Sequence, residues 1–224
     1  PDGKLLTNNH VVEGCSAVSV ATPDGRKAEA RVVDTQPDDD LALIQAPFVS
    51  SSIATFLSPI DLFQDDPITV IGYPDQGLAP IKPLITSGQL GAAGATTDGR
   101  PRFRIHADIR RGNSGGPVVD NRALVIGVVY AKIDTVSAFK ATGEKIRFVG
   151  VVVDNKSVFD FLDRNAVSYR KGEGGRMGGA LRARRGDCGR SALGGFCRSA
   201  VYPPPAEIKL GSVLSPVSFC AENG

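Results

Sequence analysis

Three short segments hold side chains suited to acyl-transfer chemistry. Thr7-Asn8-Asn9-His10-Val11-Val12 places a histidine at the end of an apolar strand. Asp38-Asp39-Asp40-Leu41-Ala42-Leu43-Ile44 sets a carboxylate directly before a buried strand. Gly112-Asn113-Ser114-Gly115-Gly116-Pro117 puts a serine in a glycine-flanked loop that opens onto Val118-Val119. A serine hydroxyl is a weak nucleophile until a base takes its proton, and neutral imidazole is the side chain suited to that near neutral pH. The imidazole needs a carboxylate on its other nitrogen, to fix its tautomer and to stabilise the imidazolium that forms. Glycines around Ser114 allow a turn tight enough for the Gly112 and Ser114 N–H groups to face a developing oxyanion. Such donors are commonly worth a few kcal/mol each in the transition state.

The elements that must position these groups read as strands. From residue 4 to about 153, short β-branched runs alternate with turn signals; candidate strands are 17–21, 28–33, 41–46, 68–71, 85–90, 103–106, 117–119, 124–131 and 148–153. Strands at this spacing, without intervening helical periodicity, indicate an all-β sandwich or barrel. One helix is expected late, where Val158, Phe161 and Leu162 follow an i, i+3, i+4 pattern with Asp154 or Ser157 available as N-cap.

The order His, Asp, Ser, at intervals of 30 and 74 residues, is that of the chymotrypsin-type proteases. TNNHVV, DLALI and GNSGGPVV resemble the three catalytic motifs of the trypsin-like serine peptidases, in the form of the bacterial HtrA/Deg-type proteases. The likeness runs from residue 1 to about 165, through IGYP (71–74), Ser87-Gly88 and the strand after the serine. It implies two Greek-key β-barrels and a closing C-terminal helix, with the active site between the barrels. The implied triad is His10, Asp40 and Ser114, with Gly112, Asn113 and Ser114 forming the oxyanion hole. A substrate pocket would involve Asp108, Val128, Val129 and Tyr130. Activated trypsin-like enzymes carry an Asp before the serine, pairing with a newly made N-terminal ammonium; Asn113 cannot make that pair, so no such activation is expected. The substrates would be polypeptides. A catalytically silent peptide-binding or chaperone-like member and an esterase using the same triad are the rival readings.

Each residue also has a plainer reading. Asp38 and Asp39 read as a solvated turn, Asp34 is the rival of Asp40 for the orienting role, and His106 reads as structural or at the pocket rim. Asp108, six residues before Ser114, would favour a basic side chain at the cleavage position; alternatively it simply pairs with Arg110 or Arg111.

Composition sets the remaining bounds. The chain has 224 residues, no Trp, 26 Gly and 15 Pro, and a net charge of +2. Eight basic against two acidic residues between 170 and 198 give that stretch +6, so the rest of the chain carries −4. Residues 1–168 are expected to form the protease domain, and 169–224 a largely disordered tail, because 170–198 holds nine glycines and almost nothing apolar. The basic stretch is the one feature an anionic partner could use; no nucleic acid is expected. No apolar run reaches the roughly 18–20 residues of a membrane-spanning helix. No metal or cofactor is implied. Pro1-Asp2-Gly3-Lys4 opens the chain inside a turn, which reads as a truncated N-terminus with a strand and a signal segment outside the sequence; an exported location is expected. Cys15, Cys188, Cys197 and Cys220 allow three full pairings. The oligomeric state is left open.

Overall fold

The computed structural model describes residues 2–22, 25–48, 53–59, 62–73, 83–91, 99–132, 148–173 and 217–221, with 131, 132 and 217–221 described as backbone only. Two sheets dominate it. The first contains β1 (Lys4–Thr7), β2 (Ala17–Ala21), β3 (Lys27–Gln36), β4 (Leu41–Gln45) and β13 (Val217–Ala221). It is antiparallel, in the order β1-β4-β3-β2-β13. The second holds β5 (Thr55–Leu57), β6 (Pro67–Gly72), β7 (Leu84–Leu90), β8 (Arg102–His106), β9 (Pro117–Val119), β10 (Val125–Lys132), β11 (Val149–Asp154) and β12 (Arg170–Gly172). Its order is β11-β8-β7-β6-β9-β10-β5-β12, and a further pairing of β10 with β11 closes six of these strands into a barrel. The all-β expectation holds.

The apolar runs are long because several strands are buried on both faces. Side chains alternate across a strand with period two. In β4, Ala42 and Ile44 join the first sheet's own core, while Leu41 and Leu43 face a second core shared with the barrel. The barrel strands follow the same rule, with a bulge in β10 between Val125 and Gly127 shifting its alternation. Val70, Val118, Ile126, Val129 and Val152 fill its interior, and their neighbours Ile71, Val119, Val125, Val128 and Val153 point outward into the shared core.

That shared core is completed by a helix, α2 (Asn155–Arg164), whose Val158, Phe161 and Leu162 are buried in it as their spacing predicts. The Asp154 carboxylate caps α2 by accepting from the Lys156 amide at 2.8 Å. Buried Asn155 donates to the carbonyls of Leu57 and Val125, tying α2 to β5 and β10.

Two stretches of the expected tail are strands. β12 pairs in parallel with β5, and β13 pairs with β2. The basic, glycine-rich stretch from 174, Cys188, Cys197 and the prolines at 203–205 lie outside the described residues.

Candidate active site

The first sheet supplies a histidine and a carboxylate already joined. His10 lies not at the end of the strand but in a single helical turn, α1 (Asn9–Val12), directly after β1 and Asn8. Asp40 closes the turn before β4; its amide donates to the Pro37 carbonyl, and its φ of +54° is a left-handed value that aspartate tolerates better than most residues. Asn8, fully buried, donates to the Asp40 carbonyl at 2.8 Å. These ties aim the Asp40 carboxylate at α1, where Oδ1 accepts the His10 amide at 2.8 Å and Oδ2 meets Nδ1 at 2.6 Å. With Nδ1–H donated to Asp40, Nε2 remains as the acceptor on the ring. The hydrogen bond to Asp40 raises the histidine pKa above its ordinary 6.5, with partial burial opposing. The imidazole is thus a stronger base than a free one.

Asp34 is engaged elsewhere. Its carboxylate accepts from Asn165 at 2.8 Å and from Arg164 at 3.0 Å, at the far end of α2. The Asn165 hydrogen bond leads the lowering of its pKa. Asp39 differs from the solvated-turn expectation. Its side chain is 13% exposed, accepts from Gln36 at 2.5 Å and pairs with Arg100 at 3.6 Å. Asp38 is exposed, but Arg100 pairs with its carboxylate at 3.0 Å and Arg102 donates to its carbonyl at 3.0 Å. The barrel therefore grips the acidic turn through two arginines, a connection with no signal in the sequence. Arg102 also lies 4.2 Å from the ring centroid of Tyr130.

The barrel supplies the serine. Its loop is pinned on three sides: the Tyr73 amide donates to Gly112 O, the Gly115 amide to Val129 O, and the Val129 amide to Gly116 O. Gly112 and Gly115 take φ of +89° and +78°. Gly115 must be glycine for a second reason. A Cβ there would come within 2.5 Å of Thr7 Oγ1 and 3.2 Å of the Asn8 amide. The loop that carries Ser114 is thus seated against the end of β1, three residues ahead of His10.

The remaining expected site residues divide. The Asn113 amide is spent on the Arg110 carbonyl at 3.0 Å, whereas the amides of Gly112 and Ser114 donate to no protein acceptor among the described residues. Val128 and Val129 turn their side chains into the shared core and the barrel core, so only their backbone can face a ligand. Tyr130 is half-buried at an irregularity in the β10–β11 register. Asp108 is chelated by Arg110 at 2.6 and 3.0 Å. His106 is exposed on β8 opposite Val149. Among the described residues no cluster of His, Cys, Asp and Glu could hold a metal. Cys15 is disulfide-bonded.

The family model for the trypsin-like peptidase domain matches residues 1–128, more than half of the chain. The chain belongs to the trypsin-like peptidase family. Within that family it is similar to the periplasmic serine endoprotease DegP of Salmonella typhimurium, at 32% identity over 95% of this chain and 45% of that protein. Among solved structures, a serine endoprotease from Yersinia pestis superposes with a TM-score of 0.60, at 22% identity, over 73% of this chain and 53% of that one. The HtrA-type protease AlgW, solved with a tripeptide, superposes with a TM-score of 0.60 at 27% identity, over 72% of this chain and 52% of that one. The chain spans under half of the DegP relative and about half of each solved structure. The HtrA likeness read from the motifs is borne out. No helix among the described residues is long and apolar enough to cross a membrane.

Proposed function

We propose that the chain is a serine endopeptidase whose working residues are His10, Asp40 and Ser114. The observation that carries this reading is the seating of Gly115 against Thr7 and Asn8, which brings the serine loop to the strand end that leads into the His10–Asp40 pair. In the proposed reaction the Ser114 Oγ–H proton passes to His10 Nε2 as Oγ bonds to the scissile carbonyl carbon, whose π electrons move onto oxygen. The free amides of Gly112 and Ser114 stabilise that oxyanion. Collapse breaks the C–N bond, with His10 returning its proton to the leaving amine. Water then attacks the acyl-enzyme by the same proton route. Asp40 holds the imidazole in the required tautomer throughout.

The pairing of Asp108 with Arg110 supports a pocket without an unpaired negative charge, and therefore no preference for a basic side chain at the cleavage position. The periplasmic description of the DegP relative and the disulfide at Cys15, a bond that persists in oxidising compartments, support an exported protein.

A fluorophosphonate probe tests the reading. Labelling of the wild type that disappears in Ser114→Ala supports it; an unlabelled wild type overturns it in favour of a silent peptide-binding protein. Hydrolysis of casein is the expected second result, and turnover of simple esters alone would make the chain an esterase.

A further inference from the structure

One strand joins the acidic turn to the serine loop. β8 runs from Arg102 to His106, and Ser114 follows eight residues later. Phe103 and Ile105, with Ala107 and Ile109 beyond the strand, are buried in the barrel interior, so the segment leading to the serine is anchored along its length. Just before and at the start of β8, two arginines reach the turn between β3 and β4. Arg102 donates to the Asp38 carbonyl at 3.0 Å, and Arg100 meets the Asp38 carboxylate at 3.0 Å and the Asp39 carboxylate at 3.6 Å. Stacking on Tyr130, 4.2 Å from its ring centroid, restrains the Arg102 guanidinium from the barrel side. The Asp39 side chain is 13% exposed and that of Asp38 78%, so Arg100 pairs once in a shielded place and once in open water.

Directional contacts thus tie the first sheet to the barrel on both approaches to the His10–Asp40 pair. Gly115 rests on Thr7 and Asn8, which lead into His10; the arginines hold Asp38 and Asp39, which lead into Asp40. The shared core between the sheets is apolar, and apolar burial presses surfaces together without directing them. Gly115 alone would act as a pivot, and a second contact on the other approach resists rotation about it. That second contact is ionic, so dissolved salt weakens it where water reaches it. We propose that Arg100, assisted by Arg102, is a positioning residue that locks the acidic turn to the barrel and keeps the His10–Asp40 pair within reach of Ser114, and that salt loosens this lock. The proposal rests on the peptidase reading above and adds to it a turnover that responds to ionic strength.

The test is kinetic, on the full chain, with kcat counted per site labelled by the fluorophosphonate probe. Raising sodium chloride from about 0.05 M to about 0.5 M shortens the screening length from about 14 Å to about 4 Å. Wild-type kcat is expected to fall about two- to fivefold over that range, the span of a screened ion pair, with KM nearly constant. Arg100→Gln should lower kcat at low salt by about five- to tenfold and leave little response to salt. Arg100→Glu should fall further, and adding Asp38→Arg, which restores an opposite-charge pair, should regain most of the loss. Arg104→Gln removes an exposed charge from β8 and should match the wild type in both kcat and salt response. A wild-type kcat indifferent to salt overturns the proposal, as does an Arg100→Gln enzyme with wild-type kcat. A lowered unfolding temperature without loss of kcat also overturns it, because it marks a merely structural role. Should Arg100→Glu not fold, the salt series on the wild type and Arg100→Gln still decides. An unlabelled wild type takes down both this proposal and the peptidase reading; a labelled wild type whose kcat ignores salt and Arg100 takes down this one alone.

Discussion

Gly115 offers the most direct measure of how the two sheets meet. Gly115→Ala has two costs. The first is conformational, because an L residue at φ +78° is held in the left-handed region at about 1–2 kcal/mol. The second is steric, because the new methyl would stand 2.5 Å from Thr7 Oγ1 and 3.2 Å from both the Asn8 amide and Thr7 Cα. Two of those three neighbours are backbone and cannot rotate away, so the contact belongs with overpacking, at about 1–3 kcal/mol. Gly14 separates the two costs. It has φ +72°, with nothing within 4 Å of its built Cβ, so Gly14→Ala carries the conformational cost alone. Both substitutions gain equally from a less flexible unfolded chain, and that gain cancels in the difference. Thermal unfolding should therefore fall roughly 2–8 °C for Gly14→Ala and roughly 4–20 °C for Gly115→Ala, at about 2–4 °C per kcal/mol for a chain of this size. Activity should separate them further. A shift of the serine loop by about 1 Å costs on the order of a hundredfold in turnover, whereas Gly14→Ala should leave kcat/KM unchanged. Equal unfolding temperatures and full activity in both variants would refute the seating of the serine loop against β1.

Other substitutions probe the carboxylates and their partners. Because Asp40 raises the pKa of His10 above 6.5 and the neutral imidazole is the proposed base, kcat/KM should climb with pH through a limb on the alkaline side of that value. Asp40→Asn should lower kcat/KM by roughly four orders of magnitude and move the limb to lower pH, as read from rates between about pH 5 and about pH 9. The same raised pKa means that the charged pair stabilises the fold fully below pH 6.5, and that this contribution is lost as pH rises through the folded value. Asp34→Ala should leave kcat/KM within about twofold while reducing stability by roughly 1 kcal/mol, because its hydrogen bonds are half-exposed. With its pKa lowered from 3.8, that contribution is present above 3.8 and fades as pH falls through the lower folded value. Arg102→Ala removes the hydrogen bond to Asp38 O and the stacking on Tyr130, and should cost about 1–3 kcal/mol in chemical denaturation. Tripeptide substrates differing only in Arg, Val or Glu before the scissile bond should show no preference for Arg; a clear preference would return Asp108 to the pocket.

β4, β6 and β11 were legible because their apolar runs answer to burial on two faces at once. Residues 17–21 and 117–119 match β2 and β9 at both ends, and α2 is announced by its cap and its i, i+3, i+4 spacing. The motif segments stand out in the sequence for a different reason: the proposed chemistry admits few residue types, and glycine is demanded where backbones touch. What escaped was non-local. β5 and β12 are three residues each; they pair in parallel with each other across more than a hundred residues, and β5 also with β10, so both depend on distant partners. α1 is a single turn of Asn-His-Val-Val, composed of residues of weak helix propensity. Only tertiary contact decides such cases. Tyr73 belongs with them, its hydroxyl buried without a partner and its pKa pushed up to about 12 by that burial.

The acidic residues make the same point about the site itself. Asp34, Asp38, Asp39 and Asp40 fall within seven positions, and nothing in their spacing ranks them apart from the apolar run that follows Asp40. The fold divides them among three partners: α2's end takes Asp34, Arg100 takes Asp38 and Asp39, and His10 takes Asp40. Three of the four are thus bound to elements beyond the first sheet, and only the last faces the base. The His10–Asp40 pair can form within the first sheet alone, since β1, α1 and the turn before β4 supply every group in it. Bringing Ser114 to that pair is a docking problem between two sheets. The contacts that solve it, Gly115 on Thr7 and the two arginines on the acidic turn, lie outside the three side chains proposed to react. Variants that uncouple the sheets should therefore leave the alkaline-shifted titration of His10 intact while turnover falls. Loss of that titration in Arg102→Ala, followed through the His10 ring signal by NMR, would show instead that the pair depends on the barrel for its own geometry.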